Sequence, residues 1–287
     1  MTGELKSDLA GALRRALASP IYNRTLKKEV GTGQLDYEVY LRTGELLSLQ
    51  TASDQLVVGD ELLFQIVHQT QELWLKLLAF EAANVVDALE CDEPVLASAT
   101  LSRMVAVTHS LRRDIEVLFT LSPDVFQVIR RSLGNGSGLE SPGYNAVLLS
   151  AEAIAEAFTR WCRRRGSTDL CNVYARRDEH PDVHRIAEQM CDLDGAFQGW
   201  LMSHFLLVRR TIGIDRSVRA LDGFPTQALP ARMMKPLFPE LWDVRVDMTR
   251  RWVREGGFAP GAERAAARTG SGEHPVTRAE AVSGEHE

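Results

Sequence analysis

The 287-residue chain is 45% hydrophobic, enough to bury a substantial core as one large domain or two small ones. A formal charge of −6 and a pI near 5.7 exclude a general electrostatic pull toward nucleic acid or anionic lipid, and the short basic run Arg163-Arg164-Arg165 reads as solvated helix surface. The acidic opening residues suit no export signal, no stretch approaches the roughly 20 apolar residues of a membrane span, and Cys91, Cys162, Cys171 and Cys191 lack metal-ligand spacing, so a soluble, cytoplasmic protein with reduced thiols is expected.

Residues 1–30 carry a short amphipathic pattern (Leu9, Leu13, Leu17) broken by Pro20, which predicts a peripheral arm. The segment from Tyr37 to Gln50 reads as helical, with Tyr37, Tyr40 and Leu41 on one side and Gly44 as its weak point. Asp60 and Glu61 then open a long amphipathic helix reaching about Leu89. On that helix Phe64 and His68 are four residues apart, so an aromatic ring and an imidazole project side by side, as in a pocket wall. A solvated position at the helix edge is the plain alternative for His68.

Pro94 and Ser98 separate this helix from a second, Leu101 to Leu121, which a short connection should fold back antiparallel. Ser122-Pro123-Asp124 signals a helix start, and in the short helix that follows Phe126 and Arg130 share a face. Arg130 is either an ordinary surface charge or, beside a glycine-rich turn, a two-pronged clamp for a carboxylate. The run Gly134-Asn135-Gly136-Ser137-Gly138-Leu139-Glu140-Ser141-Pro142-Gly143 suits a tight turn or close backbone approach. It is no phosphate loop, because it lacks the Gly-Lys-Ser/Thr ending and any preceding strand.

Helices follow at Asn145–Arg165, from Asp178 to Glu188, and at Leu193–Ile212. In the last, Trp200, Leu201, Leu207, Val208 and Thr211 surround His204 at helical spacing. A histidine on an apolar face is usually a packed core residue with local partners. The functional alternative is axial ligation of haem iron, which needs a large apolar slot between helices and one imidazole. An irregular stretch to Ala228 precedes a final helical run within 233–252, and the polar composition after Gly256 predicts a disordered tail to Glu287. The sum is all-α, a helical bundle with strands nowhere compelling.

The stretch Asp60-Glu61-Leu62-Leu63-Phe64-Gln65-Ile66-Val67-His68-Gln69-Thr70-Gln71-Glu72-Leu73-Trp74 resembles the signature of the tryptophan 2,3-dioxygenase family, haem enzymes that oxygenate the indole ring. The likeness extends to Tyr37-Glu38-Val39-Tyr40-Leu41, to Phe126 through Arg130, to Trp200 with His204 and Val208-Arg209-Arg210-Thr211-Ile212-Gly213, and to Phe238-Pro239-Glu240-Leu241-Trp242. It implies a bundle enclosing a haem b pocket, with residues 31–255 as the catalytic domain between the arm (1–30) and the tail (256–287).

By that resemblance His204 is the proximal haem ligand, and His68 the catalytic distal histidine on the indole nitrogen. Phe64 and Phe126 line the substrate pocket and Arg130 binds the substrate carboxylate. Trp200, Gly136, Ser137 and Gly138 lie against the cofactor. Tyr37, Tyr40 and Leu41 reach a neighbouring subunit's site in a homotetramer. The implied partners are L-tryptophan or a derivative and dioxygen or peroxide.

Two positions depart from the family pattern. Gly59 stands where His-Asp-Glu usually begins, and Asp215-Arg216-Ser217-Val218-Arg219-Ala220-Leu221-Asp222-Gly223 replaces a Gly-Thr-Gly-Gly loop that supplies a threonine to the amino-acid head. Ser217 is expected to substitute for that threonine, or Arg216 and Arg219 to hold the carboxylate differently. The altered loop makes monooxygenation of tryptophan to an oxindole-type product the leading expectation. The alternatives are ring cleavage to N-formylkynurenine, a tyrosine-hydroxylating relative, or a non-catalytic haem protein.

Overall fold

The computed structural model describes residues 2–233 and 235–251. The bundle is made by four long helices: α4 (Glu61–Glu90), α5 (Pro94–Val117), α7 (Pro142–Arg164) and α9 (Pro181–Thr211). Helix α4 packs against α5 and α7, and α5 packs against α9. Before them come α1 (Thr2–Leu17), a hairpin β1 (Ile21–Asn23) and β2 (Lys28–Val30), α2 (Asp36–Leu41) and α3 (Thr43–Leu46). Shorter helices α6 (Pro123–Arg130), α8 (Leu170–Ala175), α10 (Leu229–Met233) and α11 (Pro239–Arg251) complete the described chain. The tail from residue 256 lies outside the described residues, and among those described no helix is long and apolar enough to cross a membrane.

The all-α expectation holds, with several boundaries displaced for physical reasons. The predicted Tyr37–Gln50 helix breaks in two, not at Gly44 but at Arg42, whose left-handed backbone (φ 53°) lets its N–H close the last turn of α2 on the Glu38 and Val39 carbonyls. Pro94 does not separate two helices. It is the first residue of α5, a position where its missing N–H costs nothing. The two segments predicted within 178–212 are a single helix of 31 residues, α9. The strand reading also needs correction: β1 and β2 pair antiparallel, closed by a turn in which the Asn23 carboxamide accepts the Thr25 and Leu26 amides at 3.0 and 2.9 Å. Strands of three residues are too short to display alternation.

Core packing explains why α9 runs uninterrupted. Asp194, in its middle, is fully buried, and one carboxylate oxygen accepts the Phe238 amide at 3.0 Å and the Trp242 indole N–H at 2.8 Å. This buried polar residue is therefore the tether for α11. The indoles of Trp74 and Trp161 are likewise anchored, on Asp114 (3.0 Å) and Asp92 (2.7 Å).

The joint between α4 and α7 depends on Gly143. A Cβ there would lie 2.5 Å from the Leu75 Cβ and 2.8 Å from Glu72 Oε2. Gly143→Ala is expected to cost about 1–3 kcal/mol by overpacking. Gly195→Ala, at an exposed position in α9 with nothing within 4 Å, should stabilise by up to about 1 kcal/mol. Urea unfolding of the two variants checks this, and equal effects would refute the close-packing account of Gly143.

Candidate active site

The long spacing of apolar residues on α4 and α9 leaves one face of each helix looking into a shared cavity of about 470 Å³, within the range of sites that enclose cofactors and ligands. Helix α4 contributes Phe64, His68 and the adjacent pair Gln71 and Glu72 from three successive turns, and α9 contributes Trp200, Leu201, His204, Leu207, Val208 and Thr211. Helix α6 adds Phe126 and Arg130, and the glycine-rich turn adds Gly136, Ser137 and Gly138. Phe64 lies 4.1 Å from His68 and 6.1 Å from Phe126, centroid to centroid, so three rings form a continuous wall.

The two histidines are in different states of engagement. Nδ1 of His68 donates to the Phe64 carbonyl one turn back, 2.7 Å away. That bond fixes the tautomer, leaving Nε2 as a lone-pair acceptor. Burial lowers the His68 pKa, partly countered by the Phe64 carbonyl and the charge of Glu72, which favours the neutral ring. His204 makes no hydrogen bond to any described residue, and burial, reinforced by the nearby His68, holds its pKa down to about 4. A neutral imidazole without a local partner, opening onto an apolar cavity, is what a metal ligand requires.

The backbone opposite His204 is equally specific. A Cβ on Gly138 would stand 3.9 Å from both Cε1 and Nε2 of His204, in ordinary van der Waals contact with the ring, so the glycine-rich turn lies directly against this imidazole. Glu72 holds this turn in place by accepting the Ser141 hydroxyl and, at 3.0 Å, the Gly143 amide. Gln71 joins the two principal helices by accepting the Trp200 indole N–H at 3.2 Å, with its own Nε2 buried and without a hydrogen-bond partner among the described residues. Gln71 and Glu72 are not singled out as site residues by the sequence, and only their periodicity with His68 (three and four residues on) points to the cavity.

The segment after Gly213 is a small hairpin rather than an open loop. The Thr226 amide bonds Val218, Ala220 bonds the Phe224 carbonyl at 2.9 Å, and Gly223 turns back on Ala220 with φ 83°. Arg130 Nη2 donates to the Arg219 carbonyl (2.7 Å) and Ser137 Oγ to Asp222 Oδ2 (2.7 Å), which ties the hairpin to α6 and to the glycine-rich turn.

Most sequence-predicted residues are brought together here: Phe64, His68, Phe126, Arg130, Gly136, Ser137, Gly138, Trp200 and His204 all line the cavity. Ser217 does not. It is exposed, and its hydroxyl and amide both bond Asp215 Oδ1, because a serine two residues after an aspartate closes a local turn more readily than it reaches a distant ligand. Arg216 and Arg219 are also directed elsewhere, to Gln227 and to the Gly223 carbonyl. The hairpin residues that reach the cavity are Ala220, Leu221, Asp222 and Phe224. Tyr37, Tyr40 and Leu41 lie away from it, exposed on α2.

Residues 23–150 match the family model of tryptophan 2,3-dioxygenase. Three full-length relatives carry that same name. The protein of Saccharopolyspora erythraea is 30% identical over 78% of this chain and 95% of its own length. Those of Myxococcus xanthus and Herpetosiphon aurantiacus are each 28% identical, covering 81% and 75% of this chain and 97% and 98% of their own. The chain belongs to the tryptophan 2,3-dioxygenase family. The family match takes in Phe64, His68, Phe126, Arg130 and the glycine-rich turn. His204 lies beyond it, and its case rests on the cavity. The residues present fit haem: one neutral imidazole without a hydrogen-bond partner among the described residues, and an apolar slot between helices.

Proposed function

We propose that the chain acts as a tryptophan 2,3-dioxygenase, converting L-tryptophan and dioxygen to N-formylkynurenine with haem b held by His204. The observation that carries this reading is the meeting of His204, His68, Phe64, Phe126 and Arg130 around one cavity, in a family member matching nearly the full length of relatives with that name. The protein is a haem-dependent oxidoreductase by family. Haem, when bound, supplies the iron that binds and activates dioxygen.

The chain's own residues then do the positioning. Phe64 and Phe126 sandwich an aromatic body in the apolar wall, and the bare Nε2 of His68 accepts the indole N–H. Arg130, half-buried at the end of α6, takes the carboxylate as a charge-assisted clamp. The tied hairpin adds Ala220, Leu221 and Phe224 to the lining, which helps to hold the substrate in one orientation.

The expectation of a single-oxygen, oxindole-type product rests on the unusual segment after Gly213. The relatives carry the dioxygenase name, so insertion of both oxygen atoms is the better-supported outcome. Anaerobic ferrous holoprotein mixed with oxygen and L-tryptophan should give a product heavier by two oxygen atoms. A gain of one oxygen would restore the monooxygenase reading, and turnover of tyrosine alone would reassign the substrate.

Residues 31–255 serve in this reading as the catalytic unit and 1–30 as its arm, in a cytoplasmic homotetramer. Tyr37 (71% exposed) and Tyr40 (86%) support the assembly, as do Leu62, Ile66, Leu73 and Phe80, which stand exposed along the outer face of α4 at spacings of four and seven. The four free cysteines suit a reducing compartment.

A further inference from the structure

We propose that the bundle core contains a second, dry cavity that binds dioxygen one helical turn from the His204 cavity and releases it into that site; the supply role rests on the tryptophan-oxygenase reading above. The second cavity lies among α4, α5, α7 and α9 and measures about 10 Å³ where the His204 cavity measures about 470 Å³. That is room for about one water-sized molecule. On three helices a residue lining it stands three positions from a residue lining the larger cavity: Leu78 and Leu75 on α4, Val147 and Tyr144 on α7, Phe197 and Trp200 on α9. Three helical residues rise roughly 5 Å, so the two spaces are stacked along the bundle with little between them.

The small cavity suits an apolar guest and not water. Thr108 and Ser150 are the polar side chains in its lining, and both hydroxyls give their protons to their own helices, to the Met104 carbonyl at 2.8 Å and the Ala146 carbonyl at 2.7 Å. The lining side chains therefore offer water no free donor, whereas a buried water makes about two to four hydrogen bonds. The buried side-chain atoms left without a partner, on Gln71, Gln189, Asp194 and Gln198, are not part of this lining. Leu78, Ile154, Phe197 and Phe238 are all buried, which puts the space deep in the core. Such a void forfeits dispersion contacts that a small apolar molecule restores. Dioxygen is a molecule of that class, and the oxygenase reading consumes it.

The partition between the two cavities is a layer of rings. Phe197 lies 5.4 Å from Trp200 and 6.1 Å from Tyr144, centroid to centroid, nearly parallel to the tyrosine. Trp200 is held by its indole bond to Gln71, whereas Phe197 carries no polar group to anchor it. Turning of the Phe197 ring is thus the motion that lets a diatomic molecule pass.

Crystals of the haem-loaded full chain held under xenon, an apolar atom slightly larger than dioxygen, should show one xenon among Leu78, Val147 and Phe197. Ala151→Leu, which fills the space, should lose that xenon and raise the KM for dioxygen about threefold, with kcat at saturating oxygen and the affinity for L-tryptophan unchanged. Val147→Ile adds a single methyl group, disturbs folding less, and should move both readouts the same way by a smaller amount. Absence of xenon from this place in the parent overturns the proposal, as does loss of xenon with an unaltered dependence on oxygen. A fall in L-tryptophan affinity in step with the rise in KM would make the lining a matter of packing alone, which also overturns it. Turnover of L-tryptophan without a xenon site sinks the cavity proposal and spares the oxygenase reading; a xenon site without turnover sinks that reading and the supply role together.

Discussion

His204→Ala is expected to yield a folded helical protein that takes up haem without histidine ligation and no longer oxygenates tryptophan. The imidazole makes no hydrogen bond to a described residue, and burial holds its pKa down to about 4, so it contributes no polar contact that the bundle needs. A buried polar ring with no partner is a cost to the fold. Because the side chain borders an existing cavity, truncation enlarges that cavity instead of opening one in packed core. Helical content by circular dichroism should therefore match the parent, while the Soret band of the haem-supplemented variant loses its histidine-ligated character. Added imidazole, small enough to enter the enlarged cavity, should restore that character in part. An unchanged spectrum would refute the proximal assignment, and loss of helicity would show that His204 serves the core.

The second large effect is on stability and lies away from the chemistry. Asp194→Ala removes the one acceptor shared by the Phe238 amide and the Trp242 indole, in a residue with no exposure at all. The Phe238 amide is then left buried and unpaired, at a cost of about 1–3 kcal/mol, and Trp242 loses a bond it can partly replace with water. A total of about 2–4 kcal/mol is expected, or a melting temperature lower by roughly 5–15 °C for a domain of this size. Asp194→Asn keeps the accepting oxygen and puts its NH₂ where the carboxylate oxygen Oδ1 has no partner, so it should retain most of the stability. Thermal unfolding of both variants decides the matter: equal losses, or none, would end the tether account.

The residues most legible in the sequence are those whose meaning is local. Phe64 and His68, four apart on a periodic helix, do share a wall, and Phe126 and Arg130 do share the face of α6 that looks into the cavity. Failures fall where a residue's partner is distant in sequence. Asp194, inside the predicted Leu193–Ile212 helix, gives no sign of its role in the sequence because its partners lie 44 and 48 residues on. Ser217 looks available as a hydroxyl donor, yet an aspartate two residues earlier claims it, while Asp222 gains a place at the cavity through Ser137, 85 residues back.

By itself the sequence determines the helical class, the long faces of α4 and α9, and the candidate groups that each face carries. Hydrophobic periodicity is a property of neighbours along one helix, and it survives any arrangement of the rest. Only the tertiary structure decides which faces look at each other, that Gly138 comes to lie against His204, and that the segment after Gly213 closes as a hairpin. Those outcomes depend on contacts between elements far apart in the chain, whose energies appear only when the packed bundle brings them together.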